Sequence, residues 1–65
     1  MKQKDTKADI LNAAEELFAN KGPNVVSLRQ VIAHANVNLA AIHYHFGSKE
    51  TLLQTVLARR LMPLN

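Results

Sequence analysis

The sequence predicts an all-α fold, a small bundle of helices, on three observations. Apolar residues recur at helical spacing in four separate segments, and each segment opens on a hydroxyl or amide residue able to cap a helix. Outside those segments the only β-branched pair is Val25-Val26, too short to fix a sheet. The third observation is length: 65 residues hold one domain with a thin core, and without cysteine no disulfide can brace it. Compact helix packing, or a partner, must supply the stability.

The first helix is expected over about 6–21. Thr6 and Asp9 make a capping-box-like start, and Ile10, Leu11, Ala14, Leu17 and Phe18 form an apolar stripe with Asn12, Glu15, Glu16 and Asn20 facing away. Gly22 and Pro23 end it. The second helix, about 28–35, starts from Ser27 with Gln30 three residues later and carries Leu28, Val31, Ile32 and Ala35 at helical spacing. Asn36 suits a left-handed backbone and Asn38 an N-cap, so Asn36-Val37-Asn38 is expected as a tight turn with Val37 beneath it.

The third helix, about 39–46, has a rival reading. Ile42-His43-Tyr44-His45-Phe46 alternates apolar and polar like a surface strand, but there is no second strand to pair with it. As a helix, at about 100° per residue, it stacks Ile42 and Phe46 on one side. Ala40 and Tyr44 then point almost opposite, flanked by Ala41 and His43, with His45 at the edge of the buried side. Gly47 stops this helix in left-handed geometry and Ser48 caps a fourth, about 49–62, with Pro63 ending or kinking it. Leu52, Leu53, Val56, Leu57, Leu61 and Met62 occupy more of its circumference than one buried stripe requires. Part of the fourth helix is therefore expected to dock on a further domain or a second subunit. Ile10, Leu17, Phe18, Leu28, Ile32, Val37, Ile42, Phe46, Leu52 and Val56 are the expected core.

The charge pattern bears on partners. Net charge is +3, and all five acids, Asp5, Asp9, Glu15, Glu16 and Glu50, lie outside residues 17–49, which hold Lys21, Arg29, Lys49 and all three histidines. A central segment free of anions suits a polyanionic partner. Catalysis finds no support: there is no cysteine, no phosphate-cradling glycine loop and no carboxylate near the histidines to orient a base. No cofactor is expected. Nor is a metal, since His43 and His45 at i and i+2 project about 200° apart on a helix. The basic N-terminus lacks the apolar run of a secretory signal and no window is long enough to span a bilayer, which predicts a cytoplasmic protein without a membrane partner.

Two short helices joined by a three-residue turn, with a longer helix before and one after, have the layout of a helix-turn-helix module: a homeodomain-like three-helix core plus the start of a fourth helix. Residues 1–65 read as one such domain. An eight-residue helix spans about 12 Å and enters a B-DNA major groove about 12 Å wide if its outer face lacks carboxylates and bulky aliphatics. Ala40, Ala41, His43 and Tyr44 meet that condition: alanines touch thymine methyls, histidine donates to a base edge or phosphate, and tyrosine offers its hydroxyl to phosphate.

The order of residues also resembles the N-terminal domain of TetR-type transcriptional regulators, whose pattern runs roughly I-x-x-A-A-x-x-L-F-x-x-x-G, then a hydroxyl residue, then A-G-V-S-x-x-x-L-Y-x-H-F-x-S-K-E-x-L. Matching positions are Ile10, Ala13, Ala14, Leu17, Phe18, Gly22, Ser27, Ala35, Val37, His45, Phe46, Ser48, Lys49, Glu50 and Leu52, with Ile42 in place of the pattern's leucine, and they span nearly the whole chain. Each piece alone is weak and the combination is specific. The resemblance implies a homodimer, joined through a region beyond residue 62, that reads a palindromic operator in double-stranded DNA and acts as a repressor. It also implies a small-molecule effector bound in a C-terminal domain absent from this chain. Position by position, Ser27, Asn38, Tyr44, His45 and Lys49 match family positions that commonly contact phosphates, and Arg29, Ala40, Ala41 and His43 match positions that often face bases. Asn36 replaces the family's glycine, Ala41 its threonine or serine, and His43 its aromatic or aliphatic residue.

Plainer readings stand beside these. Lys49 at a helix N-terminus opposes the macrodipole, which an anionic partner would explain, but Glu50 beside it would also hold it as a solvated lysine. Arg29 could pair with Glu50 at the surface. His45 is equally readable as a half-buried structural residue against Phe46, and His34 as a surface residue of the second helix. The alternative function is a helical protein-interaction module whose working surface is the apolar fourth helix.

Overall fold

A computed structural model describes residues 5–61 of the chain. The basic Met1–Lys4 stretch, apolar Met62 and the expected stop at Pro63 lie outside the described residues. Four helices follow in order, α1 (Thr6–Lys21), α2 (Leu28–Ala35), α3 (Leu39–His45) and α4 (Lys49–Leu61), with no strand among the described residues. The fold is all-α. Helix α1 packs against each of the other three, and α2 against α3.

Each start has a chemical cause. At α2 the Oγ of Ser27 accepts the Gln30 N–H at 3.2 Å while the Gln30 side chain accepts the Ser27 N–H at 2.8 Å, a complete capping box. At α3 the Asn38 side chain accepts from the Ala41 N–H at 3.0 Å, and at α4 the Ser48 Oγ accepts from the Thr51 N–H at 3.2 Å. The start of α1 differs from the expectation. Asp5, not Thr6, is the N-cap, its carboxylate accepting the Ala8 N–H at 3.1 Å. Asp5 has the extended backbone a cap needs and Thr6 is already inside the first turn; the carboxylate adds a favourable charge at the positive end of the helix dipole.

The ends are equally specific. Asn36 sits at φ 60, ψ 48, and both its own N–H and that of Val37 (3.1 Å) bond to the Ile32 carbonyl, closing α2 in a left-handed turn. Helix α3 stops one residue earlier than expected. Phe46 is its C-cap, and Gly47 at φ 86 turns the chain away while its N–H reaches the Ile42 carbonyl at 3.2 Å.

The core lies where the four helices converge. Ile10 and Ala14 of α1, Val31 of α2, Ile42 of α3, and Leu52 and Val56 of α4 are buried together with Phe18 and Phe46. Leu17, Leu28, Ile32 and Val37, also expected inside, are partly buried and pack around that centre. The Val25-Val26 pair divides: Val25 ends a turn, its N–H bonded to the Gly22 carbonyl at 3.3 Å, and is exposed, while Val26, the next residue, is buried. Each fully buried aliphatic side chain stabilises the fold by about 1.5–3 kcal/mol, a large share of the roughly 5–15 kcal/mol typical of a domain.

Candidate nucleic-acid interface

Helix α3 is a short probe held from beneath. Ile42 is fully buried and Phe46 nearly so, anchoring one side in the core, while Asn38 and Gly47 fix the two ends. The opposite side follows from the 100° step. Ala40 and His43 are exposed and Tyr44, two residues from buried Ile42, is 85% exposed. Ala41 is half-buried and packs against the core, so it offers less surface than Ala40. Leu39 at the helix start is 42% exposed. Sequence reasoning passed over Leu39, and spacing carried no signal for it, since three residues before Ile42 it falls near the buried side of an ideal helix.

The polar groups differ in what they leave free. His43 Nδ1 lies 3.3 Å from the Gly47 carbonyl oxygen, so the ring leans toward the C-terminal end of α3. His45 is half-buried, with Tyr44 edge-on at 5.0 Å between ring centroids and Phe46 tilted at 6.2 Å. The plainer reading of His45 has its structural counterpart in the packing by Phe46, and the ring also touches the exposed Tyr44. Asn38 spends its side-chain oxygen on the cap and keeps its amide N–H donors; Ser27 accepts through Oγ and keeps its hydroxyl proton. Both caps thus retain donors suited to a phosphate.

Arg29 is exposed in the first turn of α2 and Lys49 half-buried in the first turn of α4. Neither forms a salt bridge among the described residues, so the surface pairing of either with Glu50 is not observed. Two carboxylates of α1 have partners on other helices. Glu16 on α1 meets His34 Nε2 at 2.8 Å, so His34 is an exposed residue with a partner on α1. Glu15 meets Arg59, and Arg60 at 3.7 Å, in the last turn of α4. These ties join α1 to α2 and to α4, while the exposed side of α3 carries no carboxylate. Sequence reading had Glu15 simply facing away, and the 44-residue separation from Arg59 left no local signal for the pair.

The apolar excess of α4 is visible. Leu52 and Val56 are buried, but Leu57 is 46% and Leu61 76% exposed, bordering an open apolar groove with Phe18 and Pro23. No described helix is long and apolar enough to cross a membrane.

Comparison with known proteins places this arrangement. Residues 10–56 match the family model described as bacterial regulatory proteins, tetR family. An HTH-type transcriptional repressor of Mycobacterium tuberculosis is 40% identical over 55 residues, covering 85% of this chain and 29% of that protein. TtgW of Pseudomonas putida, named an uncharacterized HTH-type transcriptional regulator, is 39% identical over 61 residues, 94% of this chain and 46% of its own length. The HTH-type transcriptional repressor BepR of Brucella suis is 34% identical over 59 residues, 91% of this chain and 28% of its own. The chain spans between about a quarter and a half of the length of these relatives.

Proposed function

The chain belongs to the tetR family of bacterial regulatory proteins, and from that premise we propose that it is the double-stranded-DNA-reading head of a transcriptional regulator. Helix α3 enters the major groove. The observation that carries this reading is the contrast between a buried side, Ile42 and the C-cap Phe46, and an exposed, carboxylate-free side of α3 formed by Ala40, His43 and Tyr44.

Roles follow from position. Ala40, His43 and the exposed part of Ala41 face base edges, with Arg29 reaching them from α2. Ser27, Asn38, Tyr44, His45 and Lys49 hold phosphates on either side and set the register. The Tyr44 hydroxyl donates to a phosphate, and His45 supports its ring edge-on. The larger protein acts as a cytoplasmic homodimer on a palindromic operator, as isologous pairing of two reading heads requires, and a small-molecule effector bound outside this domain changes the spacing of the heads. The names of two relatives support repression as the outcome.

The second reading, a protein-interaction surface on α4, is favoured by the exposure of Leu57 and Leu61. Titration of labelled duplex across salt concentrations separates the two. A DNA contact loses affinity steeply as salt rises, because lysine and arginine displace counterions from phosphates, whereas an apolar contact persists. An affinity indifferent to salt would end the DNA reading.

A further inference from the structure

His43 is exposed on α3 with its Nδ1 3.3 Å from the Gly47 carbonyl oxygen. A carbonyl oxygen accepts and never donates, so this contact is a hydrogen bond only in the tautomer that carries the proton on Nδ1. The carbonyl belongs to a turn tied to the core: Gly47 has φ 86, and its own N–H is bonded at 3.2 Å to the carbonyl of Ile42, whose side chain is wholly buried. A neutral imidazole has one N–H, so the ring nitrogen left for a ligand, Nε2, carries a lone pair. The bond made by one ring nitrogen thereby decides what the other can do.

We infer that Gly47 makes His43 a hydrogen-bond acceptor toward DNA, so that the base it reads is one presenting an exocyclic amino group in the major groove, adenine through N6 or cytosine through N4. Guanine, which shows O6 and N7 there, and thymine, which shows O4 and a methyl group, both offer only acceptors and meet the Nε2 lone pair unfavourably. This replaces the simpler expectation that the histidine donates to a base edge. It assigns the specificity of one position in the half-site to the tautomer of one ring. The inference rests on the proposed seating of α3 in the major groove, and two independent readouts separate their failures.

The first needs no DNA. In the free chain at about pH 8, where an ordinary imidazole is neutral, long-range proton–nitrogen spectra of His43 should show the hydrogen on Nδ1. A ring protonated mainly on Nε2 overturns the inference and leaves the groove reading intact. The second uses the duplex chosen from a random pool, with adenine exchanged for 2-aminopurine, or cytosine for 2-pyrimidinone, one position at a time. Either exchange removes the major-groove amino group. At one position of the half-site the loss should be roughly tenfold, and His43→Ala should abolish that difference. A preference that depends on His43 but is unmoved by removing any adenine or cytosine amino group of either strand overturns the inference. If no duplex is preferred over another, the groove reading itself fails and carries this inference with it.

Discussion

Arg59 in the last turn of α4 donates to the carboxylate of Glu15 in the middle of α1, and Arg60 approaches the other oxygen of the same carboxylate at 3.7 Å. Glu15 thus joins the first helix to the last described turn of the fourth. Both members of the closer pair are only about two-thirds covered, so solvent screens them and the pair stabilises modestly. Glu15→Ala and Arg59→Ala are each expected to lower stability by about 0.5–1 kcal/mol in urea unfolding. Together they should lose less than the sum of the single losses, since one interaction is removed twice. Strictly additive losses would show that the two side chains do not interact in solution.

The capping box at Ser27 gives a prediction that separates folding from binding. Ser27→Ala removes one of the two reciprocal bonds with Gln30 and should cost about 1 kcal/mol, or roughly 4–8 °C in Tm for a domain of this size. Ser27→Asp restores the cap and adds a negative charge where the proposal puts a phosphate. It should fold nearly as well as the parent and bind duplex more weakly. Undiminished binding by the folded Ser27→Asp variant would remove Ser27 from the interface.

Much of the fold and of the candidate site is legible in the sequence, because the decisive signals are local. Ser27 with Gln30, Asn38 and Gly47 act within three to five residues, and each appears in the structure in the role its chemistry suggested. The burial of Ile42 beside exposed Tyr44 follows from helical geometry alone. What escaped depends on distance in the chain or on competition between neighbours. Glu15 and Arg59 are brought together only by packing of α1 on α4. Asp5 took the cap from Thr6 because two capable residues stood side by side, and the backbone at Asp5 decided the matter. The bond from His43 to Gly47 needed the turn after α3 to exist first.

Asn36 tests the backbone at the centre of the module. At φ 60 it occupies the left-handed region, which costs an ordinary L-residue roughly 1–2 kcal/mol. Asn36→Gly should therefore be neutral or slightly stabilising, and Asn36→Ala should destabilise by about 1 kcal/mol, both read from thermal unfolding. Equal Tm values for the alanine and glycine variants would argue that the turn relaxes out of the left-handed region at no expense.

Ile42 and Tyr44 should respond in opposite ways. Ile42 is fully buried, so Ile42→Ala leaves a cavity and should cost about 2–5 kcal/mol, enough to unfold a domain this small. Tyr44→Ala changes little that is buried, and its unfolding midpoint should stay within about 0.5 kcal/mol of the parent while duplex affinity drops. A Tyr44→Ala chain that melts early would place the ring in the fold and not at the interface.

Lys49 and His43 divide the remaining work between strength and choice. Lys49 stands in the first turn of α4, where the helix dipole disfavours a cation, and it has no salt bridge among the described residues. A phosphate would relieve both conditions. Lys49→Ala should then weaken every duplex to a similar degree and reduce the slope of log affinity against log salt by about 1, as expected when one phosphate fewer is neutralised. His43→Ala, which removes a proposed base contact, should alter the ranking of sequences. The two variants measured on a common panel of duplexes decide the matter, because a ring that merely adds contact area would weaken all of them alike, as the lysine does.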